Sequence, residues 1–295
     1  MVKVSPKCGF CLINRAIAEI ENVVSDEDQK FEILQKIFAY FSENFYEDSV
    51  PSDLGTIRDR IIRTITKKDP YKLEKRKSNE LALKFLPKIE KELNEIEDEW
   101  TRFRKALLYA IVGNIIEFDI DENKDPLENL RKAVELAEKD LVIDQSIEVY
   151  KLVKNSKTIV YLVDNAGEIV FDKILINELR KICEKIIVIV KEVPVLNDAT
   201  MEDAEFISLT TSFENVKVIP SGTDHVGIIL DETPPQILRI LNSCDLIIAK
   251  GMGYFETLTE YDLQKNIVHL FRTKCKNVAD ILKIDIQKNV ILLRK

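Results

Sequence analysis

The sequence has no apolar run of 18 or more residues, which excludes a membrane-spanning helix on hydropathy grounds. Its first residues lack the long apolar core of a secretory signal, so a cytoplasmic location and no membrane partner are expected. Positive charge is not in excess. The 43 Lys and Arg are outnumbered by 51 Asp and Glu, for a net charge of −8. A general nucleic-acid binder needs the opposite balance, although a local basic pocket for a small anion remains compatible with it. Cysteine is sparse and odd in number, five in 295 residues, so no disulfide framework is expected. Cys8 and Cys11 lack the second ligand pair of a zinc site and read as packing. Histidine and methionine are scarce, two and three residues, while Lys, Glu and Ile are abundant, a composition that leans towards a thermophilic source. No internal repeat or low-complexity tract occurs.

What is present falls into two patterns. Up to about residue 145 the apolar residues recur at helical spacing, as in Leu12, Ala16, Ile20 and in Leu81, Phe85, Ile89, Leu93, and the stretch reads as helical throughout. Asp53 is the expected cap of the helix carrying Ile57 and Ile61. From about residue 150, apolar runs at 158–163, 185–191, 216–220, 245–249, 266–271 and 288–293 alternate with helical stretches. Such alternation predicts a mainly parallel sheet with helices on both faces, a Rossmann-like three-layer α/β/α domain. The expected organisation is a helical N-terminal region over 1–148 that completes a cleft, and an α/β domain over 149–295.

The chain is organised around 159–170, where Ile159 to Val163 form a fully buried strand that runs into Asp164, Asn165, Ala166 and Gly167. In an open α/β sheet ligands bind beyond the carboxyl ends of the strands. Those ends offer Asp164, Asn165 and Glu168; Lys191 and then Asn197 to Thr200; Ser221 to His225; Lys250 to Gly253; and Arg272 to Lys274. Carboxylate and carboxamide oxygens suit a hard divalent ion such as Mg²⁺ or Mn²⁺. Lys250, Arg272 and Lys274 suit phosphate oxygens, with glycine amides at 251 and 253 as further donors. This is equipment for phosphoryl transfer to water, the nucleophile being either a water or a carboxylate such as Asp164. Each segment also has a plainer reading: a turn at 164–167, a helix cap at 197–200, surface charge at Arg272 and Lys274. His269 reads as structural, and His225 beside Asp224 as a possible acid–base group. Asn114 continues the buried face of the helix through Phe103, Leu107 and Ile111, either as a helix-end hydrogen bond or as the lining of a polar cleft.

Together these segments resemble the damage-control phosphatase family, long known as domain of unknown function 89, and its small archaeal members in particular. The resemblance rests on DNAGE at 164–168, LNDAT at 196–200, SGTD at 221–224, KGMGYFET at 250–257 and RTKC at 272–275. It extends through DPYKLEKRKSNELALKFLP at 69–87 and GNIIEF at 113–118. It implies a helical region on a Rossmann-like domain, and metal-dependent hydrolysis of phosphate monoesters of small metabolites such as sugar phosphates, phosphopantetheine-type or damaged phosphometabolites. The metal, Mg, Mn, Co or Ni, falls to Asp164, Asn165 and Asp198, with Asp164 and Asp198 also catalytic. Lys250 takes the phosphate side, with Gly251, Arg272 and Lys274 beside it. Asn114 and Glu117 close the cleft, Glu117 standing where the related pattern often has Asp. Two other readings stay open: a methyltransferase-like enzyme acting on a carboxylate, for which the Asp-Asn-Ala-Gly turn is a poor match, and a non-catalytic metal-dependent binder of phosphometabolites.

Overall fold

The computed structural model describes residues 2–113 and 126–295. Asn114 and Glu117 therefore lie outside the described residues.

Three helices come first: α1 (Pro6–Val23), α2 (Glu27–Asn44) and α3 (Pro51–Thr66). Leu12, Ala16 and Ile20 from α1 meet Ile33 and Ile37 from α2 and Leu54 and Ile62 from α3 in a core of their own. Asp26 caps α2 by accepting from the Gln29 N–H. The expected cap at Asp53 is not used. The helix α3 starts earlier, with Pro51 pre-set at its first position, and Asp53 sits inside the first turn.

Next come α4 (Lys72–Leu83), α5 (Leu86–Asn94), α6 (Glu99–Val112) and α7 (Pro126–Lys139). The α/β part follows as β1 (Leu141–Asp144), α8 (Ser146–Lys154), β2 (Thr158–Leu162), α9 (Glu168–Leu179), β3 (Lys185–Val190), α10 (Met201–Phe206) and β4 (Val216–Pro220). It closes with α11 (Pro235–Ser243), β5 (Leu246–Lys250), α12 (Gly251–Leu258), β6 (Asn266–Arg272), α13 (Lys276–Leu282) and β7 (Asn289–Arg294).

The sheet has seven strands in the order β1-β7-β6-β5-β2-β3-β4. Only the β6–β7 pair is antiparallel. The expected mainly parallel α/β sheet is thus present, with one strand more than the six apolar runs. The additional strand, β1, falls in the stretch read as helical throughout. It is four residues long, at the sheet edge, with alternately half-buried and exposed side chains, too short to show a period of its own. One face of the sheet is covered by α8, α9 and α10, and α9 is itself covered by α4, α5 and α6, so that Phe85, Leu107, Ile111, Leu175, Tyr161 and Val188 share one core. This explains why α9 is apolar nearly all round. The opposite face packs Val160, Leu162, Ile247 and Ala249 against Ile237, Leu241 and Tyr254.

Successive strands run outward in opposite directions from the β2–β5 pair, which makes that pair the topological switch point. A crevice opens there, beyond the strand ends. No helix among the described residues is long and apolar enough to cross a membrane.

Candidate active site at the strand ends

The loops after β2 and β3 are joined by backbone hydrogen bonds. The Ala199 N–H donates to the Asp164 carbonyl at 2.8 Å, and the Ala166 N–H donates to the Asn197 carbonyl at 2.9 Å. Asn165 and Asp198 form an isolated antiparallel bridge. Two segments more than 30 positions apart in the chain are therefore held as one rim. The second loop ends cleanly because Thr200 caps α10 in a capping box with Asp203.

Asp164, Asn165 and Asp198 line one cleft of about 180 Å³. Gly251, Gly253, Arg272 and Lys274 line it too, and so does Arg15 from α1. Asn165 Nδ2 donates to Asp164 Oδ2 at 3.0 Å and to Glu168 Oε2 at 3.3 Å, which leaves its carboxamide oxygen for a cation. Gly251 has φ +82°, and a Cβ there would overlap the Asp164 carboxylate. Only glycine lets the end of β5 approach this closely.

Burial pushes the Asp164 carboxyl well above the usual range, and the charges of Glu168 and Asp198 push it further, against Lys274 and Lys250. Burial likewise raises Asp198 to about 6, opposed by Lys191 and Lys75. Asp198 thus has a counter-charge in Lys191, 3.6 Å away, whereas the like charges of Glu168 and Asp198 leave Asp164 short of positive charge. No set of three or more His, Cys, Asp or Glu side chains able to hold a metal occurs among the described residues. The donors at this rim are instead two carboxylates and a carboxamide. That set fits Mg²⁺ or Mn²⁺, which take one or two carboxylates and keep several waters.

Lys250 does not line this cleft. Its ammonium is fully buried and donates to the Ala110 carbonyl at 2.7 Å, to Asp172 Oδ1 at 2.7 Å and to Glu168 Oε1. Strand alternation is the reason. Lys250 shares the pleat face of Leu246 and Ile248, towards α6 and α9, and not that of Ile247 and Ala249. The expected phosphate contact is thus replaced by an internal ion-pair network, extended by the Tyr161 hydroxyl donating to Asp172 Oδ1 at 2.7 Å. Arg272 reaches the cleft while its guanidinium donates to Asn289 Oδ1 and Asp140 Oδ2, both at 3.1 Å. Lys274 reaches it at the next loop.

His225 is buried outside the cleft, its Nδ1 2.8 Å from the Val226 carbonyl and its Nε2 3.5 Å from Asp53. Burial lowers its pKa to about 4. Its neighbour Asp224 is bound by Arg60 and Arg63 of α3, a structural clamp. Gly113 at the end of α6 is so close to α9 that a Cβ would lie 3.2 Å from Glu168 Cα. All five cysteines are free thiols, and Cys8 Sγ accepts from the Ser5 N–H at 3.3 Å.

Arg15 and Asn79 escape sequence reasoning. Arg15 stands on the exposed face of an ordinary amphipathic helix, and nothing local marks it. Asn79 is the one buried carboxamide on a helix otherwise rich in exposed charge. That is a detectable signal, because a polar group on a buried stripe must find partners.

Comparison with known proteins identifies the family and the fold. The family described as damage-control phosphatase ARMT1-like domain matches residues 4–290. The chain is 38% identical to the uncharacterized protein MJ0202 of Methanocaldococcus jannaschii over 99% of this chain and 96% of that one. It is 34% identical to the damage-control phosphatase PH1575 of Pyrococcus horikoshii, over 96% and 95%. A crystal structure of PH1575, titled as a DUF89 family protein, superposes with a TM-score of 0.88 over the whole of both chains at 32% identity. With the motifs, the sheet order and the full-length similarity in agreement, the chain belongs to the damage-control phosphatase ARMT1-like family.

Proposed function

We propose that this protein is a divalent-metal-dependent phosphatase that hydrolyses phosphate monoesters of small metabolites, sugar phosphates and phosphopantetheine-type or damaged phosphometabolites among them. The observation that carries the reading is the juxtaposition of Asp164, Asn165 and Asp198 with Lys274 and Arg15 around one cleft. Carboxylates and a carboxamide suited to a metal ion thus share a wall with cationic side chains suited to a phosphate.

Asp164, Asn165 and Asp198 would hold the ion. When bound, it supplies Lewis-acid stabilisation of the phosphoryl group and a more acidic water. Lys274 and Arg15 neutralise the remaining phosphate oxygens. Arg272, fixed by Asp140 and Asn289, adds a charge that needs no reorganisation. The first turn of α12, starting at Gly251, offers backbone N–H groups that have no partner within the helix. In the net reaction the ester P–O bond breaks, water supplies the new P–O bond, and the leaving alkoxide takes a proton to depart as the alcohol.

A phosphate-release screen over a panel of phosphometabolites, repeated with Mg²⁺, Mn²⁺, Co²⁺ and Ni²⁺, tests this. Metal-dependent release from a subset of the panel is expected. Metal-dependent binding of the same compounds with no turnover would favour a binder instead.

A further inference from the structure

Asn79 lies on α4, separated by 88 and 124 positions from two residues it touches. Its side chain is 1% exposed. Its Oδ1 accepts from the Gly167 N–H at 2.6 Å, and its Nδ2 donates to Asp203 Oδ1 at 2.8 Å. Gly167 closes the loop that carries Asp164 and Asn165. Asp203 Oδ2 in turn accepts from the Thr200 N–H and hydroxyl, each at 2.8 Å, and Thr200 closes the loop that carries Asp198. A single carboxamide therefore ties the ends of both loops to the same helix.

The polarity of this fork is specific. The Gly167 N–H belongs to the cap of α9 and has no partner within that helix, so it needs an acceptor. Asp203 is an acidic acceptor with two donors already on one oxygen, and needs a donor on the other. Only a carboxamide offers both from one short stem. Contact is close throughout, since a Cβ on Gly167 would lie 2.9 Å from Ser78 Cβ. Lys75, one turn earlier, is 4.0 Å from Asp203 Oδ2 and bound to Asp69 at 2.9 Å, adding positive charge on the same side.

We propose that Asn79 is a positioning residue for the divalent-ion site: it sets the spacing between the Asp164–Asn165 loop and the Asp198 loop. This rests on the metal reading above. It touches neither the ion nor the substrate and acts through Gly167 and Asp203.

The test is a Mn²⁺ titration followed by electron paramagnetic resonance, on wild type, N79S, N79D and the double swap N79D/D203N, with melting of each metal-free protein recorded alongside. N79S and N79D are expected to weaken Mn²⁺ binding by about tenfold, the lower end of what losing a direct partner of a metal ligand costs, because Asn79 acts one step further out. The double swap is expected to recover most of that affinity. Its carboxylate at 79 still accepts from Gly167, and its carboxamide at 203 now donates across the pair while accepting from Thr200. Amide exchange at Gly167 in the metal-free protein, slow in wild type and faster in N79S, reads the same bond without any ion. Single variants that melt lower yet bind Mn²⁺ like wild type overturn the proposal, as does a double swap no better than N79D. Wild-type protein that takes up no divalent ion defeats the metal reading itself, a result distinguishable from both.

Discussion

The charged cluster of Glu168, Asp172 and Lys250 is as deeply buried as Asp198, whose neighbour at the rim, Asp164, is half-buried, and the two groups lie side by side at the strand ends. They solve the problem of buried charge in opposite ways. In the first, each donor of the Lys250 ammonium has a fixed oxygen, from Ala110, Glu168 and Asp172. The ammonium is fully paired and fastens β5 to α6 and α9, while Glu168 also accepts from Asn165 at 3.3 Å. In the second, the carboxylates face a cleft, and the charge of Asp198 raises the pKa of Asp164. On the proposed function an ion from solution completes the site, beside Lys191, whose ammonium lies 3.6 Å from Asp198. Burial alone marks neither structure nor function. What separates them is whether the counter-charge is covalently part of the fold.

The comparison can be broken most severely at Asp164. Asp164→Asn is expected to reduce metal-dependent phosphate release on the order of 10³-fold, the scale of losing a charge that contacts the reacting group. Because it removes a carboxylate that burial disfavours, the metal-free protein should melt at the wild-type temperature or above. A fully active Asp164→Asn enzyme would refute the assignment.

The opposite pattern is expected at Lys250. Lys250→Met strands two buried carboxylates and should cost about 3–5 kcal/mol in denaturant unfolding, whereas Lys274→Met should leave stability unchanged and raise KM for phosphomonoesters by about tenfold. If Lys250→Met instead raised KM in a protein of normal stability, the ion-pair reading would fall and the phosphate role would be restored to Lys250.

A third kind of buried ionisable group sharpens the contrast from the other side. His269 is fully buried in β6, both ring nitrogens lack a hydrogen bond among the described residues, and Phe255 meets its ring edge-on at 5.3 Å. Burial lowers its pKa from 6.5 to about 3, with Arg294 adding to the effect. A base with a depressed folded pKa gives stability that is present above its unfolded value and lost as pH falls. The loss here runs from pH 6.5 towards about 3. His269→Leu is expected to remove that acid sensitivity, and at pH 7 to stabilise the fold by about 1 kcal/mol by eliminating two unsatisfied polar atoms. Melting curves between pH 4 and 8 decide it; an unchanged pH profile would rule it out.

Much of this architecture is legible in the sequence for definite reasons. Strands β2, β3, β5 and β6 are apolar runs because central strands covered on both faces have no polar side to show. That Asp164, Asn165 and Asp198 share a rim follows from the rule that parallel strands end together. Lys250 ends its strand at the rim, but counting back by twos to Ile248 and Leu246 turns its side chain inward, which the motif by itself does not show. The strand β1 is too short to carry a period. Arg15 and the partners of Asn79 depend on how the helical half docks on the sheet, which no local pattern encodes.

The close approach of Gly251 to Asp164 has a consequence for how much this site can vary. The backbone leaving one strand and the acid leaving its neighbour occupy touching volumes, with no room for even a methyl group between them. On the proposed function, substrate preference is expected to change through substitutions on the outer wall, at Arg15, Arg272 or Lys274, while the inner wall stays as it is. The fold divides the cleft into a part that tolerates substitution and a part that does not, and the boundary runs along a single missing side chain.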